Sequence, residues 1–202
     1  MTKRQRAITD IFTPVPGSVS KMAKLEDSIQ WAVRDSLFIG RWREPLQSHD
    51  KIAAFDFDGT LAGVQGSYVY PKNGNDWVWT HSTVPKVIAQ LHSKGWRIVI
   101  LSNQKGILDT GNNKSRLRKA AFMGRIKNVI EGIEKETGLQ IPAQIYASTG
   151  DDIYRKPRRG MWDAMLKDWS SHGIDISKSF YVGDAAGRPQ SWVRGHKEGI
   201  LL

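Results

Sequence analysis

Cysteine is absent from all 202 residues. Disulfide staples and thiolate metal sites are therefore excluded, which suits an intracellular chain. No apolar run approaches the roughly 18 residues that span a bilayer, and the amino terminus lacks a hydrophobic signal core, so the chain is expected to be soluble and intracellular. The five histidines show no ligand spacing, and none is assigned to a metal. Acids are scarce as well: 20 Asp and Glu stand against 30 Lys and Arg, a formal net charge of +10.

That imbalance is concentrated. Between Lys94 and Lys127 there are nine Lys or Arg (Lys94, Arg97, Lys105, Lys114, Arg116, Arg118, Lys119, Arg125 and Lys127) against a single acid, Asp109. Arg155, Lys156, Arg158 and Arg159 form a second group. Clusters of this kind raise the local anion concentration and fit a polyanionic partner, nucleic acid before others. They also fit a solvated helix face, and composition leaves both readings open.

With hydrophobic residues at 40%, the chain can bury one sizeable core. Residues 1–20, "MTKRQRAITDIFTPVPGS" and its continuation, are basic, then rich in Pro, Gly and Ser, and read as a flexible tail. Residues 21–50 read as an extension that packs on the domain and contributes a strand from "WAVRDSLFIGRW". From Lys51 the pattern sharpens into a domain spanning 51–202. "KIAAFDF" and "WRIVILSN" are short apolar runs, and "TVPKVIAQLHSKG" between them places Val84, Val87, Ile88 and Leu91 at helical spacing, capped by Ser82 or Thr83. A long pattern from Asn112 to Thr137 aligns Leu117, Ala121, Ile126, Ile130 and Ile133. "AQIYAST" then reads as strand, "RGMWDAMLKDW" as helix and "SFYVGD" as strand. Such alternation predicts an α/β fold, a parallel sheet with helices on both faces, whose ligands bind beyond the carboxyl ends of the strands.

Polar residues collect at those ends. Asp56 and Asp58 follow "IAAF", Ser102 and Asn103 follow "RIVIL", Asp184 follows "SFYVG", and Arg155 and Lys156 sit in the loop after "AQIYAST". Three acids, a hydroxyl and a lysine on one edge are poorly explained as fold maintenance, because unpaired buried charge is costly. An aspartate can attack phosphorus to give an aspartyl-phosphate. The second acid of D-x-D is placed to protonate the leaving oxygen and then to deprotonate water. Gly59 and Thr60 let the chain turn and close the loop. Asp56, Asp58 and Asp184 offer oxygen ligands for Mg²⁺, and Lys156 and Ser102 can hold phosphoryl oxygens.

This order resembles the four motifs of the haloacid dehalogenase-like, Rossmann-like phosphatases, as "DFDGT", "LSN", Lys156 and "VGD". "FDFDGTLAG", "DWVW", "GWRIVILSNQKGI", "YRKPRRGMWD" and "FYVGDAAGRPQSW" resemble more narrowly the 3′-phosphatase domain of polynucleotide kinase 3′-phosphatases, over roughly Lys51 to Trp192. The resemblance implies a Mg²⁺-dependent enzyme with a small or minimal cap that removes 3′-phosphates at DNA strand breaks and works in the nucleus. It implies Asp56 as nucleophile, Asp58 as acid and base, Asp184 as metal ligand, and Ser102, Asn103, Gln104, Arg155, Lys156 and Arg188 around the phosphate. No G-x-x-x-x-G-K-[ST] occurs, so no 5′-kinase activity is expected. The family pattern continues past "GDAAGRP" into another acidic loop and strand, whereas "VRGHKEGILL" follows here, so a domain shortened at its carboxyl end is expected. Tyr68, Tyr70, Trp77 and Trp79 fall where a cap is usually built, with stacking on an unpaired terminal base or packing beneath the cap as their uses. In the tail, "QRAITDIF" resembles the peptide that docks on the DNA sliding clamp, with Gln5, Ile8 and Phe12 as anchors and Ile11 where an aromatic is usual.

Overall fold

Short apolar runs and amphipathic stretches alternate along the chain, and in a computed structural model they assemble as a six-stranded sheet with helices on both faces. The structure describes residues 28–43, 49–67, 70–108, 110–170 and 173–185. The expected tail with Gln5, Ile8, Ile11 and Phe12, together with Tyr68, Arg188 and the carboxyl-terminal stretch, lies outside the described residues. The strands are β1 (Gln30–Arg34), β2 (Leu37–Trp42), β3 (Lys51–Phe55), β4 (Ala62–Gly63), β5 (Val78–Trp79), β6 (Trp96–Asn103), β7 (Ala143–Ser148) and β8 (Phe180–Val182). The helices are α1 (Val84–Ser93), α2 (Asn113–Thr137) and α3 (Gly160–Asp168). The main sheet runs β1-β2-β7-β6-β3-β8, while β4 and β5 pair separately.

β7, β6, β3 and β8 are mutually parallel, so their carboxyl ends share one edge. The sheet is nonetheless mixed. The segment expected to add one strand folds into a hairpin, β1 against β2, and β2 runs antiparallel to β7. Only Asp35 and Ser36 separate the two strands, and Asp35 takes a left-handed φ of 54°. Two residues can close a hairpin, whereas a parallel return needs a crossover of about a dozen or more. Every residue of β2 is buried, so the hairpin belongs to the core.

Burial on both faces explains the unbroken apolar runs of β3 and β6. One face meets α1 and α2 through Ile88, Phe122, Ile126, Ile130 and Ile133. The other meets α3 through Met161, Met165 and Trp169. Asn112 caps α2 by accepting from Ser115 N–H at 2.8 Å, and Gly138 ends it in a left-handed conformation with φ 70°. Leu117, expected on the apolar stripe, is 61% exposed, because the buried run begins at Ala121. In α1 it is Val87 that leaves the expected stripe for the surface, while Pro85, Ile88 and Ala89 are buried.

The segment between β4 and β5 rests on α2. Gly74 and Gly124 bring two backbones together without side chains, and Asn128 Nδ2 donates to Gly74 O at 2.9 Å and to Asn75 Oδ1 at 2.8 Å. Asp76 ties the loop by accepting from the backbone N–H of Gln65 and Lys72, at 3.1 and 2.8 Å. Trp77 and Trp79 meet edge to face at 4.8 Å and lie against Gly132, with Trp79 Nε1 donating to Glu136 at 2.7 Å. Of their two possible uses, these tryptophans take the packing one. Tyr70 stays 65% exposed, under the Arg118 guanidinium at 5.2 Å.

Two expected outcomes follow from these contacts. A methyl group on Gly124 would stand 2.8 Å from Gly74 Cα, a backbone atom that cannot swing aside. Gly124→Ala should therefore destabilise the protein by about 1–2 kcal/mol in urea unfolding, overpacking outweighing the helix propensity gained. At the opposite edge of the sheet, His49 and His92 meet at 4.6 Å. Burial pushes both below the ordinary histidine value, with Arg97 adding to the effect on His49 and His49 to that on His92. The unfolded chain then binds protons that the folded one refuses, so this stability is complete above about pH 6.5 and drains away as pH falls below it. Thermal midpoints measured from about pH 7.5 down to about 5.5 should decline less steeply in His92→Phe than in the natural chain.

Candidate active site

β3 ends at Phe55, and the next three residues alternate. Phe57 is fully buried and meets Phe122 edge to face at 6.0 Å, which sends Asp56 and Asp58 the other way, onto the edge shared by the parallel strands. The turn after them closes through Gly59, with φ 83° and its N–H donating to Ala62 O at 3.0 Å. Asp56 N–H donates to Val182 O at 2.8 Å, so β3 and β8 remain in register at the site. Thr60 Oγ1 accepts from Asp184 N–H at 2.9 Å, and the Asp184 carboxylate lies against Gly59, where a Cβ would stand 2.9 Å from its Oδ2. A side chain at position 59 would be strained and would also displace that carboxylate.

Lys156 reaches this edge from the loop after β7. Its ammonium pairs with Asp56 Oδ1 at 2.8 Å and donates to Leu101 O at 2.6 Å and Tyr181 Oη at 2.9 Å. All three of its N–H bonds are thereby used. Asn103 holds the Lys156 backbone with both ends of its carboxamide: Oδ1 accepts from Lys156 N–H at 2.9 Å and Nδ2 donates to Lys156 O at 3.1 Å. Burial pushes the Asp56 carboxyl above its ordinary range, against the pull of Lys156. Burial likewise lowers the Lys156 ammonium, which Asp56 partly restores. Tyr181 is raised by burial and by the negative charges of Asp56 and Asp184.

Asp58 points elsewhere. Its Oδ1 accepts from Arg125 Nη1 at 2.6 Å and its Oδ2 from Gln104 Nε2 at 2.7 Å, and the same Nε2 lies 2.9 Å from Ser102 Oγ. Of the residues expected around the phosphate, Asp56, Ser102, Lys156 and Asp184 converge on the edge. Asn103 and Gln104 hold other site residues instead, and Arg155 precedes Lys156 in the same loop, half-buried. No group of three or more His, Cys, Asp or Glu side chains among the described residues stands together as a cation site. The Asp58 carboxylate, expected as a third ligand, is directed to Arg125. Asp56 and Asp184 still suit a hard cation: both are carboxylates, Asp184 raises the proton affinity of Asp56, and the Lys156 and Phe57 bonds of Asp56 both fall on Oδ1.

Sequence reasoning missed two residues, Arg125 and Tyr181. Arg125 was counted in the basic cluster, yet it is 1% exposed and lies 4.9 Å over the Phe57 ring. Its place on α2, four residues after Ala121 and four before Val129, put it on the apolar stripe from the start. Arg97 is interior too, donating from Nε to His49 O at 2.6 Å, and Lys127 pairs with Glu131. The outward basic face is therefore narrower than the sequence implies. Lys105, Lys114 and Arg116 are exposed, and Arg118 lies across Gly106 at the foot of the site.

The profile of the family described as polynucleotide kinase 3 phosphatase matches residues 51–199. The chain is 37% identical over 161 residues to the bifunctional polynucleotide phosphatase/kinase of Schizosaccharomyces pombe, covering 80% of this chain and 36% of that protein. It is 35% identical over 164 residues to the polynucleotide 3′-phosphatase ZDP of Arabidopsis thaliana, covering 79% of this chain and 23% of that protein. The chain thus spans little more than a third of the length of one relative and under a quarter of the other. A haloacid dehalogenase-like phosphatase of Mesorhizobium loti shares the fold, with a TM-score of 0.57 at 22% identity over 76% of this chain and 72% of that one. With its profile matched from the first residue of β3 through β8, the chain belongs to the polynucleotide kinase 3 phosphatase family.

Proposed function

We propose that the protein is a Mg²⁺-dependent DNA 3′-phosphatase that works through an aspartyl-phosphate. The observation that carries this reading is the half-buried Asp56 carboxylate, paired with Lys156 at 2.8 Å at the end of β3, with Asp58 two residues on and bonded to neither. The phosphatase names of the fission yeast and Arabidopsis relatives support it.

Each side chain has a task. Asp56 attacks phosphorus, forming the Asp–O–P bond as the bond to the 3′ oxygen breaks, and Asp58 gives that oxygen a proton. Water then attacks the same phosphorus, Asp58 takes the proton back, and phosphate leaves with Asp56 restored. Ser102 and Lys156, the latter exchanging its bond to Tyr181 for one to phosphate, hold the phosphoryl oxygens and stabilise the charge that builds on them. Asp56 and Asp184 would hold Mg²⁺, which when bound offsets the repulsion between carboxylates and phosphate. Lys105, in the turn after β6, and Lys114 and Arg116, in the first turn of α2, are exposed and suit a nucleic acid backbone. The tail segment from Gln5 to Phe12 offers a tether to the DNA sliding clamp, and nuclear residence follows from the substrate.

The deciding assay is phosphate release from a nicked, 3′-phosphorylated oligonucleotide beside a panel of sugar phosphates. Asp56→Asn should lower turnover at least about 1,000-fold with the thermal midpoint and DNA affinity nearly unchanged. Near-normal turnover in that variant would refute the covalent route. Activity should vanish in excess chelator, and Asp184→Ala should raise the Mg²⁺ needed for half-maximal rate.

Salt separates this reading from a phosphatase of small metabolites. On the oligonucleotide, kcat/KM should fall steeply as salt rises, because each neutralised phosphate releases counterions on binding. Replacing Lys114 and Arg116 together by Ala should flatten that slope by about two units while sparing a small aryl phosphate. An unchanged slope would mean that this face of α2 meets only water.

A further inference from the structure

Of the buried residues of α2, Arg125 alone carries a full charge. Burying a guanidinium is costly unless it is paired, and this one is paired sparingly. Nη1 donates to Asp58 Oδ1 at 2.6 Å, Nη2 reaches Gly63 O at 3.3 Å, and the buried Nε has no hydrogen-bond partner among the described residues. Its charged partner is only half covered, the Asp58 side chain being 47% exposed against 2% for that of Arg125. A methionine or leucine would fill the same place over Phe57 without the desolvation. The arginine is thus explained by what it does to Asp58 rather than by packing.

We infer that Arg125 is the positioning residue of the proton-transferring carboxylate, fixing Asp58 Oδ1 against α2 so that Oδ2 is the oxygen that exchanges protons with leaving group and water. The inference rests on the phosphatase reading above and deepens it. Arginine has only donors and keeps its charge, so Oδ1 cannot carry a proton toward it. Oδ2 faces the Gln104 carboxamide, which can present either its NH₂ or its C=O to a partner. The carboxyl group can therefore be met by a donor when it is ionised and by an acceptor when it is protonated, without leaving its place. Gln104 Nε2 also lies 2.9 Å from Ser102 Oγ, so one carboxamide links the exchanging oxygen to the hydroxyl proposed to hold the phosphoryl group. Gln104, expected around the phosphate, works in this arrangement through Asp58.

The test compares leaving groups in the 202-residue chain. Dinitrophenyl phosphate needs no proton to release its phenol, whereas phenyl phosphate and a 3′-phosphorylated oligonucleotide do. In Arg125→Met, kcat on the last two should fall about 100-fold with KM within about threefold, a misplaced catalytic group losing rate rather than binding. The first-turnover burst of dinitrophenol should stay within about threefold of the natural chain, since Asp56 still attacks. Arg125→Lys, which keeps the charge but not the fork, should regain about tenfold on phenyl phosphate. Should the methionine variant not fold, the lysine variant alone decides, by losing more on phenyl than on dinitrophenyl phosphate. Equal loss on burst and slow substrate in a folded variant would overturn the inference, as would full turnover without the arginine. A natural chain that cleaves aryl phosphates but leaves the oligonucleotide intact would overturn the DNA reading and leave the Arg125 comparison standing.

Discussion

The Lys156 ammonium is the interaction on which the site depends. It binds a carboxylate at the end of β3, a carbonyl of β6 and a phenol of β8. Three neighbouring parallel strands are therefore joined by one charge delivered from the loop after β7. Asn103 fixes the backbone that carries it, so the lysine does not depend on its own flexible stem for position. A long side chain with all three donors used has little rotamer freedom left. Without Lys156, Asp56 would be a buried carboxylate facing Asp184, which is the arrangement that burial penalises most.

A second charged pair supports the neighbouring carboxylate from a different layer. Arg125 belongs to α2 and Asp58 to the loop after β3, so their contact crosses from a covering helix to the sheet edge. The two aspartates of D-x-D thus answer to different parts of the fold, one to the loop after β7 and one to α2. That separation suits the roles proposed for them: a carboxylate that attacks phosphorus and one that passes protons need different positions, and each is here held by its own cation.

Much of this was legible in the sequence, for physical reasons. Strands buried on both faces are bare apolar runs, so "KIAAF" and "WRIVIL" announced a parallel centre, and the acids after them announced the edge. Asn112 and Gly138 bracketed α2 because caps are chemical and local. The hairpin of β1 and β2 was harder, since pairing depends on what lies across the sheet, and the sequence shows only that Asp35 and Ser36 interrupt an apolar stretch. Arg125 was hidden by the habit of counting charge along the chain rather than around the helix. At its position the 3.6-residue period says interior while the side chain says surface, and that conflict was itself the signal. Which of the two acids takes the lysine and which the arginine is a matter of side-chain direction, on which linear spacing is silent.

Phe57, fully buried between the two aspartates, ties the chemistry to the core more closely than a loop residue would. Its ring touches Phe122 on one side and lies beneath Arg125 on the other, so the turn bearing both acids is seated on the same apolar cluster that holds α2 to the sheet. Active-site loops in many enzymes melt ahead of their scaffold, giving a heat-inactivated but folded state. Here the turn bearing Asp56 and Asp58 is pinned at its middle: loosening it means extracting an aromatic ring from the interior, so heat should displace the two acids only as the apolar cluster around Phe57 gives way.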